Sequence, residues 1–294
     1  MLGLAVMNSP LPASGPSTIV FGSHTDLGKR RGNNEDSLRC GVLAAGTPRA
    51  STLLVVSDGV GGLKAGEVAS RLAVESLHTL LGERLALENS PADRREWIDA
   101  AIRETDRRVR AAAAQPGCAD MGATLSVLWF AGSEAWWGQV GDSRIYIFRR
   151  GVLRQLSRDQ SPVGRLRAEG SLSEEQARTH PYRHLIDQCL GTSGAPVEPE
   201  TGALPVWSGD VFLLCSDGLS DGLWDKEIAK GLAAVAAGQP PQVGARQLVE
   251  RANDASGKDN ITALVARADG GAVEGAPAVA RASGWRRWLP SRRP

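Results

Sequence analysis

The sequence predicts an α+β fold in which antiparallel sheets are covered by helices, and three observations carry that expectation. Strands come in two batches, each followed by a pair of helices, without the strand–helix–strand alternation that builds parallel sheets. Two short runs, Leu53-Leu54-Val55-Val56 and Phe212-Leu213-Leu214-Cys215, are apolar throughout, as core strands are. Both runs end abruptly in the same tripeptide, Ser57-Asp58-Gly59 and Ser216-Asp217-Gly218. A carboxylate at the tip of a core strand is held rigidly, and the glycine after it admits a close backbone or ligand.

The elements follow in order. Residues 1–17 are rich in Pro, Ser and Gly and are expected to be a flexible lead-in. A strand opens at Thr18 with Ile19, Val20 and Phe21; a second covers about 36–43 and a third 52–57. Ala65 to Leu81 predicts a helix with Ala69, Leu72, Ala73, Ser76, Leu77 and Leu80 on one face. Ser90 caps the next, with Pro91 at its first position and Asp93 in its first turn. Its inward stripe is Trp97, Ile98, Ala101, Ile102, Thr105 and Val109. Hairpin strands then run 123–130, 135–140, 144–149 and 152–156, with Trp136 and Trp137 expected on a core face and a surface patch. Residues 161–190 are polar and irregular apart from one short helix that Ser173 caps with Gln176. A segment of that length with little core content is either disordered or functional. Strands at 196–206 and 211–215, helices at 225–236 and 242–253, and a strand from Asn260 to Arg267 complete the domain, 18–268. Residues 269–294 read as a Gly/Ala/Pro-rich tail ending in Trp285, Trp288 and several arginines.

Bulk composition excludes several classes of function. The chain has 294 residues, 42% hydrophobic, enough for a sizeable core. A formal net charge of +1 gives no footprint for nucleic acid. The 4 cysteines form no Cys-x-x-Cys pair, against zinc ribbons and dithiol redox chemistry, and Cys215 reads as a small buried hydrophobe. The 4 histidines show no metal spacing. The N-terminus lacks the basic flank of a signal peptide, and no segment approaches the ~18 apolar residues of a transmembrane span. A cytoplasmic protein is expected.

Six acids stand apart from the helix surfaces: Glu35, Asp36, Asp58, Asp142, Asp217 and Asp259, all at strand ends or turns beside Gly, Ser or Asn. Taken singly, an Asp-Gly pair is most often a turn and an acid after a strand a cap. The set is more specific, because two apolar strands share the Ser-Asp-Gly ending. If the acids converge, their charges repel unless cations lie among them. Oxygen ligands without paired His or Cys select Mn²⁺ or Mg²⁺. Two such ions would activate a shared water, and Arg31 offers a planar fork for phosphate oxygens.

With those residues assembled, the chain resembles the metal-dependent protein phosphatase 2C family in its compact bacterial form. The resemblance rests on Arg31-x-Asn33-Asn34-Glu35-Asp36-Ser37, Ser57-Asp58-Gly59-x-Gly61-Gly62, Gly122-Ala123-Thr124, Gly141-Asp142-Ser143-Arg144, Ser216-Asp217-Gly218-Leu219 and Asp259-Asn260-Ile261-Thr262, in family order. It implies a sandwich of two antiparallel sheets with helices on both outer faces, in four layers. It also implies hydrolysis of phosphoserine and phosphothreonine in a protein substrate, the target of a Ser/Thr kinase, by direct attack of a metal-bridging water in a monomer.

By the same analogy Asp58 bridges two core ions and the Gly59 carbonyl supplies a further oxygen. Asp217 and Asp259 hold one ion, Glu35 lies toward the other, Asp36 orients a water and Arg31 takes the phosphate. Asp142 and Asp221 match positions for a weaker third ion, and 161–190 corresponds to a flap that shapes substrate choice. Two positions depart from the pattern: Val60 replaces a His used by some relatives as general acid, and Asp159-Gln160-Ser161 replaces Asp-His-Ser. The rival reading, a catalytically inactive binding or scaffold module, would be betrayed by a missing ligand, and none is missing.

Overall fold

A computed structural model describes residues 18–60, 65–87, 94–118, 121–192 and 194–270. The expected segments 1–17 and 271–294, the Ser90–Asp93 cap and the Gly61-Gly62 pair lie outside the described residues.

The elements run β1 (Thr18–Asp26), β2 (Asp36–Leu43), β3 (Ser51–Asp58), α1 (Gly66–Leu87), α2 (Arg94–Ala113), β4 (Leu125–Ala131), β5 (Glu134–Val140), β6 (Arg144–Arg149), β7 (Val152–Gln155), α3 (Pro162–Ala168), α4 (Glu174–Thr179), β8 (Glu200–Pro205), β9 (Val211–Cys215), α5 (Asp217–Gly222), α6 (Asp225–Ala236), α7 (Pro241–Ala255) and β10 (Ile261–Asp269). They form two five-stranded sheets, ordered β1-β10-β9-β6-β7 and β2-β3-β4-β5-β8. Every strand pairing is antiparallel.

Alternation along the two apolar strands explains the layering, because successive side chains point to opposite faces. Leu54 and Val56 of β3 meet Phe212 and Leu214 of β9 between the sheets, where Phe130 and Phe212 lie edge to face with ring centroids 5.0 Å apart. Leu53 and Val55 point the other way, into a second core with α1 and α2. Leu213 and Cys215 point into a third core with α5, α6 and α7. A strand covered on both faces has no room for polar alternation, hence the unbroken apolar runs. The result is helix, sheet, sheet, helix.

The structure corrects several boundaries. α1 continues to Leu87 because Leu85 prolongs the buried stripe past Gly82. Trp136 and Trp137 are both buried, one under α2 and the other between the sheets, so neither forms a surface patch. Within 161–190, α4 has the expected reciprocal Ser173–Gln176 cap, and α3, capped by Ser161, is an additional helix; a further short helix, α5, follows β9 outside that segment. β10 extends to Asp269, which pairs with Thr18.

Candidate active site

The site is built where β3 and β9 end and β10 begins, on the same side of the sandwich. Asp58 closes β3, and its backbone is pinned by Thr124: the Asp58 N–H donates to Thr124 Oγ1 at 3.0 Å, and the Thr124 N–H to the Asp58 carbonyl at 2.8 Å. Ser57 Oγ donates to the Thr124 carbonyl at 2.6 Å. Gly59 lies against the backbone of Gly66 and Glu35, where a Cβ would overlap both, and its N–H donates to the Glu35 carbonyl at 3.1 Å. Asp36 stands opposite Asp58 in the β2–β3 register.

The second Ser-Asp-Gly repeats the device. Ser216 occupies the N-cap of α5 but makes no capping bond. Its hydroxyl donates instead to Asp36 Oδ2 at 2.7 Å and accepts the Thr262 N–H at 3.0 Å, which ties the two sheets together beneath the acids. Asp217 follows as the first residue of α5, and a Cβ on Gly218 would overlap the Asn260 carbonyl. Asn260 links the third piece: its Oδ1 accepts the Glu35 N–H at 2.8 Å, while its Nδ2 donates to the carbonyls of Leu27 and Asn33 at 2.9 and 3.0 Å. Arg31 donates to Asp259 Oδ2 at 2.6 Å and lies 3.9 Å from Glu35.

Electrostatics show which acids share a neighbourhood. The Asp58 carboxyl is pushed well above its ordinary range, first by burial and then by Asp36, Asp217, Asp142 and Asp259. Asp217 is pushed up by burial and by Asp142, Asp221, Asp259 and Asp36. Burial raises Asp36 to about 6 against hydrogen bonds from Thr262 and Ser216, and raises Asp142 to about 7 with Asp159 and Asp221 adding to it. Burial also raises Glu35, which Arg31 partly offsets. Thus the expected site residues Arg31, Glu35, Asp36, Asp58, Gly59, Asp142, Asp217, Asp221 and Asp259 are brought to one end of the sandwich.

Among the described residues, no three Asp, Glu, His or Cys side chains form a closed coordination cage. The acids share a field rather than a preassembled polyhedron. The donor set nevertheless fits hard divalent cations: all side-chain candidates are carboxylates, and buried Asp36 Oδ1 and Asp217 Oδ1 receive no hydrogen bond. A buried carboxylate oxygen without a donor is costly unless protonated or facing a cation.

Asp142, Asp217 and Asp221 line a small cavity whose far wall is the 161–190 segment, including Glu174, Arg178 and Arg183. Arg144, beside Asp142, is gripped by both oxygens of Asp159 at 2.7–3.1 Å. No histidine lines the cavity among the described residues, and Val60, at the departed position, donates its N–H to the Gly122 carbonyl at 3.0 Å. Sequence reasoning missed the supporting roles of Thr124, Ser216, Asn260 and Gln160. The first three lie inside the sequence motifs, but their hydrogen bonds reach distant segments and leave no local pattern in the chain.

Comparison with known proteins agrees with this architecture. Residues 29–251 match the family model described as Protein phosphatase 2C. The chain is 36% identical over 251 residues to the serine/threonine protein phosphatase PstP of Mycobacterium tuberculosis, covering 84% of this chain but only 45% of that protein's length. It is 33% identical over 238 residues to the protein phosphatase PhpP of Streptococcus pneumoniae, covering 81% of this chain and 93% of PhpP. Among solved structures, a catalytic domain of PstP in complex with two manganese ions aligns with TM-score 0.71 and 34% identity, over 86% of this chain and all of that one. Fold, motif order and these likenesses together mean that the chain belongs to the protein phosphatase 2C family.

Proposed function

We propose that this chain is a metal-dependent phosphoprotein phosphatase that hydrolyses phosphoserine and phosphothreonine without forming a phosphoenzyme. The observation that carries the reading is the cluster of Asp36, Asp58, Asp142, Asp217 and Asp259. Burial raises the first four carboxyls at the joined ends of both sheets, the charges of neighbouring acids, Asp259 among them, add to it, and Arg31 lies alongside. Family membership and the manganese-bound PstP relative support it.

In this reading Asp58, Glu35, the Gly59 carbonyl, Asp217 and Asp259 would hold two core Mn²⁺ or Mg²⁺ ions, and Asp142 and Asp221 a weaker third. Bound divalent ions supply a water activated at neutral pH and neutralise charge on the phosphoryl oxygens. The chain's own residues do the rest. Asp36, anchored by Ser216, accepts a hydrogen bond from the attacking water and orients it. Arg31 uses one terminal nitrogen on Asp259, and its half-exposed fork keeps further N–H donors for a phosphate. Thr124 and Asn260 keep the strand ends from drifting, so the acids need not reorganise when substrate arrives.

The substrate would be a protein phosphorylated by a Ser/Thr kinase, with the enzyme acting as a cytoplasmic monomer. None of the described helices is long and apolar enough to cross a membrane. The purified protein should release phosphate from a phosphothreonine peptide in Mn²⁺ and stop in excess chelator. Asp217→Asn should lose more than the about 10–100-fold that an outer contact costs. Full turnover by Asp217→Asn, or in chelator, would refute the assignment.

A further inference from the structure

The position where the sequence departs from Asp-His-Ser carries a side chain that bridges separate segments at the edge of the site. Gln160 joins three segments. Its Oε1 accepts the Gly141 N–H at 2.8 Å, and its Nε2 donates to the Glu198 carbonyl at 3.1 Å, ahead of β8. Its backbone N–H donates to the Gly141 carbonyl at 2.9 Å, and its own carbonyl accepts the Asp187 N–H at 2.7 Å. Gln160 therefore closes the base of the 161–190 segment and fastens both of its ends to the Gly141–Asp142 turn.

That turn is held in an unusual conformation. Gly141 has φ +97°, and a Cβ there would overlap Thr124, the residue that pins Asp58. From the β5 side Gln139 Nε2 donates to the Gly141 carbonyl at 3.2 Å and to the Ser143 carbonyl. The Gly141 N–H is the group left for Gln160. An amide suits the place, because one planar group both accepts from Gly141 and donates to Glu198.

We propose that Gln160 is a positioning residue: its side-chain amide locks the Gly141–Asp142 turn to the base of the 161–190 segment and so keeps Asp142 turned toward Asp217 and Asp221. The inference rests on the metal-dependent reading above for what Asp142 does, and on the geometry alone for what Gln160 does. A bond that orients a ligand's backbone acts as an outer contact does, through the affinity of the site rather than through the reacting atoms.

The test compares wild type with Gln160→Met, which keeps the shape and removes both polar atoms, and with Gln160→Glu, which keeps only the acceptor. Hydrogen exchange on metal-free protein should show the Gly141 amide exchanging at least about tenfold faster in the Met variant but still protected in the Glu variant. Amides of Leu214 and Leu264 in the central strands should be unchanged in both. Calorimetric Mn²⁺ titration should show the weakest site lost or weakened about tenfold in the Met variant, with the tighter sites retained.

Unchanged Gly141 exchange, or unchanged Mn²⁺ binding, would overturn the proposal. So would loss of protection throughout the sheets, which would mark Gln160 as a general stability residue. Wild-type protein that binds Mn²⁺ but hydrolyses no phosphopeptide would refute the phosphatase reading and leave Gln160 to be judged by exchange and binding. Wild-type protein that binds no Mn²⁺ would refute both.

Discussion

Asp36 and Asp58 face each other directly across the antiparallel β2–β3 ladder, the first residue of one strand against the last of the other. Like charges opposite each other destabilise a sheet, and burial makes the repulsion stronger. A protein that keeps such a pair holds a proton there or a cation. Ser216 Oγ satisfies one oxygen of Asp36 and leaves the other without a donor.

The pH dependence of the metal-free protein follows from that arrangement. In the fold Asp36 is raised to about 6 and Asp142 to about 7, against an ordinary 3.8. Between about pH 4 and pH 7 the folded chain therefore holds protons that the unfolded chain has released, so stability falls as pH rises through that window. Chelated protein should melt several degrees higher at pH 5 than at pH 7.5. Saturating Mn²⁺ should flatten or reverse the trend, because the cation takes the protons' place. Melting curves with and without chelator measure it, and a chelated protein most stable at pH 7.5 would contradict it.

Ser216→Ala should be costly for a surface-sized change. It strips the donor from Asp36 Oδ2 and the acceptor from the Thr262 N–H, two buried groups. Leaving buried polar groups unsatisfied costs about 1–3 kcal/mol. Denaturant unfolding should show that loss. The acidic limb of the pH–rate profile should also move upward, since Asp36 loses a bond that favours its charged form.

Arg31→Lys separates phosphate recognition from ion holding. An ammonium can keep the contact with Asp259 but cannot offer a second planar pair of donors. The expected result is a kcat/KM for phosphopeptide lower by about tenfold or more, with calorimetric Mn²⁺ affinity nearly unchanged. A large loss of Mn²⁺ binding with normal phosphopeptide KM would assign Arg31 to the acids instead.

Much of this was legible because burial leaves a plain trace. The apolar runs of β3 and β9 read as core strands, and their Ser-Asp-Gly endings pointed to the end of the sandwich where the acids gather. Both glycines proved to be places where backbone approaches too closely for a side chain. The register that sets Asp36 against Asp58 was not legible, since pairing is decided by tertiary packing. α5 was hidden because Asp217-Gly218-Leu219-Ser220-Asp221-Gly222 has the composition of a turn, and only its docking on α7 and β10 makes it helical. Trp137 misled because one aromatic on each strand face usually means one exposed face, whereas here both faces are covered. Gln160 registered only as a missing imidazole, because hydrogen bonds between distant segments leave no local pattern.

Anomalous diffraction from crystals grown with Mn²⁺ tests the central claim most directly. Two peaks about 3.5–4 Å apart are expected. Asp58 should lie between them, with Asp217 and Asp259 on one side and Glu35 on the other. Absence of manganese from the cleft, or ions bound away from Asp58, Asp217 and Asp259, would contradict the account.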